Sequence, residues 1–411
     1  MKILVTHNTG ATNKGVEKML SVIFSRLLKI GIRPEDIISV TNSIEYDSSI
    51  WPDIKFIYRA NFPKKVWPIL SIWHLGILRL LFGLIGKRKQ YLESLEVIDA
   101  IAGCDLVISI GGDMFSDDYN NLPSELAYIK LSKLHGKKVI LLGHTIGKFK
   151  SGKSIDLAKS ILPSSDLIVL RDLGSMEYLE SIGMSMTNVV KKTDLAFSFE
   201  EDLNEVIPAS WSSFIEKRKF IGFNISHGYA KYMGINYERY LELLTEVIDD
   251  MLSWYSGNIL LIPHVFDFAG NDDSRACSDL SNLINSERVE SLPNLDLNCN
   301  QRSAGQFKKL ISQSDIFVSV RMHSAIAALS RGVPTFLFSY SLKAKSLLKL
   351  FFDKPDKYSS VLDSSAIPYI ISNIKAMYED RLNVKGQIEH RLIDIKTESN
   401  ETVNFIDEFC R

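Results

Sequence analysis

Cysteine is scarce and unpaired in this 411-residue chain. Cys104, Cys277, Cys299 and Cys410 are widely spread and form no C-x-x-C pair. That excludes a disulfide framework and a zinc knuckle and predicts reduced thiols in a cytosolic protein. Charge of one sign is equally lacking: 48 basic residues face 49 acidic ones, for a net charge of −1. No basic excess argues for nucleic acid as a partner. There is no H-E-x-x-H and no H-x-H, so no metal site is expected. The absence of G-x-S-x-G disfavours an α/β-hydrolase. The stretch Asn8 to Gly15 is rich in small and amide residues but lacks both G-x-x-x-x-G-K-[ST] and G-x-G-x-x-G. A P-loop and a dinucleotide fingerprint are therefore rejected. The opening Met1-Lys2-Ile3-Leu4-Val5-Thr6 has no n-region, long apolar core or cleavage site and reads as a buried strand, with no signal peptide expected.

Long uninterrupted apolar runs are also missing. From Val66 to Gly86 the chain comes close, but Pro68, His74, Arg79 and the small residues Ser71, Gly76 and Gly83 break the run. Spanning a bilayer takes about 20 apolar residues, so a true span is disfavoured. Lys64-Lys65 and Lys87-Arg88-Lys89 flank the segment, and Trp67 and Trp73 lie within it. Two readings stay open for residues 66–89: a buried helix or helical hairpin of the first domain, or a helix lying in the surface of an anionic membrane.

What the chain does contain is alternation. Apolar runs at Lys2–Thr6, Ile37–Thr41, Ile54–Tyr58, Leu106–Ile110, Lys138–Leu142 and Leu167–Leu170 read as strands. Helical patterns fill Lys14–Ile30, Leu92–Ala102, Ser124–His135 and Ser175–Ser181. The second half repeats the scheme, with strands at Phe220–Ser226, Asn258–Pro263, Ile316–Val320 and Thr335–Phe338 and helices at Asn236–Trp254, Ala304–Ser312, His323–Arg331 and Lys343–Leu350. Alternating strands and helices predict α/β architecture with mostly parallel sheets, and the length calls for two domains. Two Rossmann-like domains facing a cleft are expected: residues 1–205, then residues 206–385, followed by a charged helical tail over 386–411 that crosses back onto the first domain. The linker is placed in Glu200–Trp211, which is acidic and contains proline.

In parallel sheets ligands bind beyond the carboxyl ends of the strands, where helix N-termini favour anions. The candidate residues all fall at such junctions. Arg321-Met322-His323 ends one strand and opens a helix, placing a guanidinium and an imidazole two positions apart, a pattern suited to a small phosphate or carboxylate. Arg171-Asp172 ends another; Arg171 can serve an anion or a structural ion pair with Asp172, while Asp172 or Ser175 can cap the helix. Ile110-Gly111-Gly112-Asp113 lets a ligand approach the backbone and offers a carboxylate to a hydroxyl, or is simply a tight turn. His144 lies in Gly143-His144-Thr145-Ile146-Gly147, read as a flexible loop where a base or a hydroxyl partner belongs. Asn13 is either a sugar ligand or a helix cap. His264 is either part of the site or a satisfied structural histidine. Lys343 either meets a carboxylate or is solvated.

The order of these motifs carries further information. The loop with Asn13 and Gly15, then ISIGGDMFSDD, GHTIG, VLRDLGSMEYLESIG, KKTDLAFSF, LIPHVFD and SDIFVSVRMHSAIAALSRGVPTFLFSYSLKAKSLL together resemble the polysaccharide pyruvyl transferase family over nearly the whole chain. The resemblance implies a GT-B-like fold and a transferase that moves the pyruvyl group of phosphoenolpyruvate onto a sugar of a surface polysaccharide or its lipid-linked precursor. A ketal forms and phosphate is released. No cofactor is expected. Arg171, Arg321 and His323 map onto the family's donor positions, with Lys343 beside them. Asn13, Gly112, Asp113 and His144 fall on the acceptor side. There the chain departs from the family: Val16 follows Gly15, and a glycine triplet is shortened to Gly111-Gly112. The chemistry needs an acid near the enol methylene and a base near the sugar hydroxyls. His323 is expected as the acid or a phosphate ligand, and Asp113 or His144 as the group that orients or deprotonates the acceptor. The competing expectations are a nucleotide-sugar-dependent GT-B glycosyltransferase and a non-catalytic glycan-assembly protein. The expected location is cytoplasmic, with peripheral contact at an anionic membrane left open.

Overall fold

The computed structural model describes residues 1–62, 88–200, 205–208, 211, 219–266, 272–292, 303–338 and 342–411. The candidate membrane-surface segment is outside the described residues apart from its last two positions, and so is Cys299. The chain divides into two compact units. Unit 1 comprises Met1–Ala11, Met19–Leu195 and Glu398–Arg411; unit 2 comprises Thr12–Lys18 and Ala196–Thr397. The division between Leu195 and Ala196 falls earlier than the expected one at 205/206, and residues 12–18 leave the first unit for the second.

Unit 1 is built on a parallel sheet of β1 (Ile3–Thr6), β2 (Ile37–Thr41), β3 (Lys55–Tyr58), β4 (Leu106–Ser109), β5 (Gly112–Phe115), β6 (Lys138–Ile146), β7 (Leu167–Leu170) and β8 (Val189–Lys191). The order is β3-β2-β1-β4-β6-β7-β8, with β5 pairing to β6. The central strands β1, β4 and β7 are buried along their whole length, as expected of strands covered on both faces. The connecting helices are α1 (Lys14–Lys29), α2 (Ile44–Ile50), α3 (Arg88–Gly103), α4 (Leu122–Leu134), α5 (Gly152–Ile161) and α6 (Leu173–Ser181). Ser151 caps α5 and Asp172 caps α6, each side chain accepting a backbone N–H. The core joins Leu4, Val107, Leu141 and Ile168 from the strands to Val97, Ile101, Leu126 and Leu179 from the helices.

Unit 2 repeats the plan with β9 (Phe220–Asn224), β10 (Asn258–Leu261), β11 (Val289–Ser291), β12 (Phe317–Ser319), β13 (Thr335–Phe338) and β14 (Ser359–Ser360), in the order β11-β10-β9-β12-β13-β14. All pairings are parallel. Its helices are α7 (Tyr229–Met233), α8 (Tyr237–Trp254), α9 (Asp273–Ile284), α10 (Ala304–Ile311), α11 (Met322–Leu329), α12 (Leu342–Leu348) and α13 (Ile367–Glu379), followed by α14 (Arg381–Cys410). α10 opens with a capping box between Ser303 and Gln306. α8 buries Leu244, Val247, Ile248 and Met251 at helical spacing against Ile221, Phe223 and Ile259 of the sheet.

The end of α14 belongs to unit 1. Arg26 Nε donates to Asp407 at 2.6 Å, Lys191 meets Glu398 at 3.2 Å, and Ser399 Oγ donates to the Asp194 carbonyl at 2.9 Å. From Glu398 onward the tail groups with unit 1, and the part before it with unit 2. Strand order reverses between β1 and β4 in unit 1 and between β9 and β12 in unit 2. These two switch points are where open α/β sheets hold ligands.

Candidate active site

At the switch point of unit 2, β12 stops at Ser319 and α11 starts at Met322. Arg321 is the N-cap residue and His323 lies in the first turn. A buried hydroxyl network holds this turn: Ser319 Oγ and Ser324 Oγ both donate to the Arg321 carbonyl at 2.8 Å, and Asn224 Oδ1 accepts the Arg321 N–H at 3.1 Å. The Arg321 guanidinium is held as a fork. Nε and Nη2 each donate to a different oxygen of Asp273 at 2.6 Å. Asp273 is fully buried and also accepts the main-chain N–H groups of His227, His264 and Val265. Sequence reasoning missed Asp273. Its only signal was a pair of aspartates, Asp272-Asp273, ahead of an amphipathic helix.

The first turn of α1 is part of the same unit. The Asn13 main chain bridges to Val265, the Phe266 N–H donates to the Thr12 carbonyl, and the Lys14 N–H donates to the His264 carbonyl. Lys14 is fully buried, with Nζ 2.6 Å from Glu17. Glu17 in turn accepts the N–H of Ala304, the first residue of α10, at 2.6 Å. Lys18, also buried, donates to the His323 carbonyl at 3.3 Å. In their midst is His264, just beyond β10. Its ring is buried, and neither Nδ1 nor Nε2 has a hydrogen-bond partner. Burial drives its pKa well below the usual histidine value, and the charges of Lys18, His323, Arg321 and Lys14 push the same way. Lys14, Lys18 and Arg321 against Glu17 and Asp273 leave one positive charge in excess around a neutral imidazole.

The surroundings of Arg171 in unit 1 have the opposite charge balance. Arg171, expected as an open cation for the donor, is buried: Nη1 donates to Asp194 at 2.6 Å and Nε donates to Thr145 Oγ1 at 2.9 Å. Asp194, Asp113 and Asp172 all stabilise its charge. Three carboxylates around one guanidinium make this neighbourhood net negative, so Arg171 is corrected from a donor ligand to a buried ion-pair partner. The pair forms with Asp194 and not with its sequence neighbour. Asp172 instead caps α6, accepting the Ser175 N–H at 2.8 Å, as the sequence allowed.

His144 is also corrected. It lies inside β6, not in a loop, because β6 runs on to Ile146 and is buried up to that point. Its Nε2 is 2.8 Å from Ser109 Oγ, and its Nδ1 has no partner. Burial lowers its pKa to about 3, with Arg171 adding to the effect. So weak a base does not take a proton from a sugar hydroxyl; what remains is the lone pair of a neutral ring. Asp113, in β5, is partly exposed and accepts from Tyr119 Oη at 3.0 Å. Gly112 pairs with His144 across β5 and β6 and has φ +146°, a conformation open to glycine. Asn13 is placed in unit 2, where its Oδ1 accepts the Gly15 N–H at 3.0 Å at the start of α1, the contact of a helix cap. Lys343 stands in the first turn of α12, with its side chain outside the described residues. Among the described residues, no group of histidine, cysteine and carboxylate side chains could hold a metal ion.

Comparison with known proteins agrees with this architecture. Amylovoran biosynthesis protein AmsJ of Erwinia amylovora is 22% identical over 417 residues, covering 94% of each chain. Among solved structures, S. aureus MnaA bound to UDP superposes with a TM-score of 0.61 at 14% identity, covering 100% of this chain and 97% of MnaA. HepE of Anabaena with UDP and glucose gives 0.60 at 10% identity, covering 99% of this chain and 98% of HepE. At such identities these two show the fold alone, the GT-B-like pairing of Rossmann-like units. The family described as polysaccharide pyruvyl transferase matches residues 26–341, a span that includes Arg171, His264, Arg321 and His323, and the chain belongs to that family.

Proposed function

We propose that this transferase moves the pyruvyl group of phosphoenolpyruvate onto a sugar of a surface polysaccharide or of its lipid-linked precursor. Family membership supports the reaction class. The likeness to AmsJ, described as an amylovoran biosynthesis protein, supports the product class. One observation carries the donor assignment: the His264 imidazole, buried with both nitrogens unpartnered, amid Lys14, Lys18, Arg321 and His323 in unit 2. Buried polar atoms without partners are rare in folded proteins. A small anion carrying near three negative charges satisfies the excess positive charge there and gives the imidazole an acceptor.

In this reading the α11 N-terminus, His264 and the outer edge of the Arg321 fork hold the phosphate and carboxylate. His323 delivers a proton to the methylene carbon. A sugar hydroxyl attacks the adjacent carbon, which has become cationic, and gives up its proton to a general base. A second hydroxyl of the same sugar then displaces phosphate from that carbon and closes the ketal, and its proton leaves with the phosphate. Unit 1 suits the acceptor. Sugar hydroxyls are neutral donors, and Asp113 together with the His144 lone pair accepts from them without repulsion.

The competing donor class is a nucleotide-sugar. Thermal unfolding with phosphoenolpyruvate, and separately with a panel of nucleotide-sugars, decides between them. A ligand at a hundredfold its Kd stabilises by ~2.7 kcal/mol, enough for a clear shift. Stabilisation by nucleotide-sugars alone overturns the donor assignment. For the reaction, candidate lipid-linked oligosaccharides are incubated with phosphoenolpyruvate and weighed by mass spectrometry. The expected result is one added pyruvate per site with phosphate released. Among the described residues, no helix is long and apolar enough to cross a membrane. Cytoplasmic location and peripheral contact through Val66–Gly86 are proposed from sequence alone; failure to sediment with anionic liposomes removes the membrane contact.

A further inference from the structure

Three side chains form a hydrogen-bonded row across the switch point of unit 1. His7 follows β1, Ser109 ends β4, and His144 lies in β6. His7 Nδ1 is 2.9 Å from Ser109 Oγ, which is 2.8 Å from His144 Nε2. His7 Nε2 is 3.1 Å from the main-chain oxygen of Glu125. All three side chains are buried, and the Phe115 ring packs against each imidazole, tilted by 54° with centroids 4.9 Å apart.

Proton counting gives the row a direction. A carbonyl oxygen only accepts, so His7 Nε2 carries a proton. Burial and the nearby His144 and Arg59 keep His7 neutral, so its Nδ1 is a lone pair that must accept. Two hydroxyls reach it, Thr6 Oγ1 at 2.9 Å and Ser109 Oγ at 2.9 Å. Thr6 has a second acceptor in the Ile108 carbonyl at 3.5 Å. If Ser109 donates to His7, then His144 donates from Nε2 to Ser109, and every proton in the row is engaged. The opposite arrangement leaves a buried N–H on His144 Nδ1 without a partner, which is the costlier defect, since orphaned donors are rarer than under-used acceptors.

We infer that His7 and Ser109 are positioning residues that lock His144 into the tautomer protonated on Nε2, so that its Nδ1 presents a lone pair as the acceptor for a donor hydroxyl of the substrate. The ligand class is a neutral polyol, in keeping with the net negative surroundings formed by Asp113, Asp172 and Asp194 around Arg171. The tautomer follows from the hydrogen bonds and the neutrality of the buried His7 ring; only the polyol identity rests on the function proposed above.

Two-bond proton–nitrogen correlations of the imidazole rings in the full, ligand-free chain test this directly. The His144 signals are assigned by their loss in His144→Gln. The expected result at pH 6 is a neutral His144 ring with the proton on Nε2, mixed tautomers in Ser109→Ala, and the single tautomer restored in Ser109→Thr. A wild-type ring protonated on Nδ1, or on both nitrogens, overturns the inference. So does an unchanged tautomer in Ser109→Ala. Should Ser109→Ala fail to fold, the wild-type spectrum decides alone. Because no substrate enters the measurement, a wrong reaction assignment leaves this result untouched.

Discussion

The His323 ring lies against the backbone of Gly15. A Cβ built on Gly15 would sit 2.4 Å from His323 Cγ and 2.6 Å from its Cβ, closer than any real contact. The atoms in conflict are the root of the imidazole, not its flexible end, so the ring must move as a whole. Gly15→Ala is therefore expected to displace His323 from the mouth of α11. Overpacking costs roughly 1–3 kcal/mol, and a misplaced catalytic group about a hundredfold in rate. Denaturant unfolding and turnover together check this. A folded Gly15→Ala variant with full activity removes His323 from the chemistry.

Arg321 and Asp273 stand or fall together. Truncating Arg321 strands a fully buried carboxylate whose remaining partners are three main-chain N–H groups. Breaking a buried ion pair costs about 3–5 kcal/mol. Arg321→Ala is thus expected to lose stability as well as donor binding. Arg321→Lys keeps the charge but loses the two-pronged contact, and should weaken phosphoenolpyruvate binding about tenfold with a smaller loss of stability. Calorimetric titration of phosphoenolpyruvate into both variants, alongside urea unfolding, checks the order of effects. Donor binding unchanged in Arg321→Lys confines Arg321 to a structural role.

The repeated strand–helix alternation made the α/β class and the two-unit plan legible, and β2, β7 and β13 fall where the apolar runs put them. Short elements escaped. The helix Ile44–Ile50 has no long apolar stripe, and β5 contains glycine and aspartate, which disfavour strands. The junction residues Arg321 and His323 were readable because a β-branched run ends abruptly at them. What they pair with was not readable. Asp273 and Asp194 lie 48 and 23 residues from their arginines, and nothing local marks the pairing. His144 was misread because Gly143 suggested a loop, whereas the strand passes through that glycine at φ +72° and continues. The transfer of residues 12–18 to the second unit is a tertiary event that periodicity does not encode.

The Arg171–Asp194 pair makes a contrasting prediction. Both side chains are buried, and Thr145 completes the arginine's contacts. Arg171→Ala should destabilise unit 1 by roughly 3 kcal/mol, the scale of a broken buried pair. Its apparent KM for phosphoenolpyruvate should stay within about twofold, since RT ln 2 is a small fraction of the cost of losing a charged contact. Urea unfolding and initial-rate kinetics on the same preparation separate the two effects. A large rise in donor KM at unchanged stability restores Arg171 to the donor site.

Acid should undo this protein earlier than its carboxylates alone would require. His7, His144 and His264 are buried, and burial lowers each pKa below the usual value, His144 to about 3. In the unfolded chain the same rings take up protons as pH falls through about 6.5. Below that pH the unfolded state binds more protons than the folded state, so stability is full above about pH 6.5 and is lost as pH falls toward the folded values. Each ring adds about 1.4 kcal/mol of lost stability per pH unit in that window. Two of the three belong to unit 1 and one to unit 2. Unit 1 should therefore show the steeper dependence between pH 6.5 and 5, and His144→Gln should lower its slope by one proton. Urea unfolding at several pH values, read as stability against pH, measures the proton count. A slope in His144→Gln equal to wild type means that the ring already carries a proton in the folded state, and the neutral lone pair assigned to it is then absent.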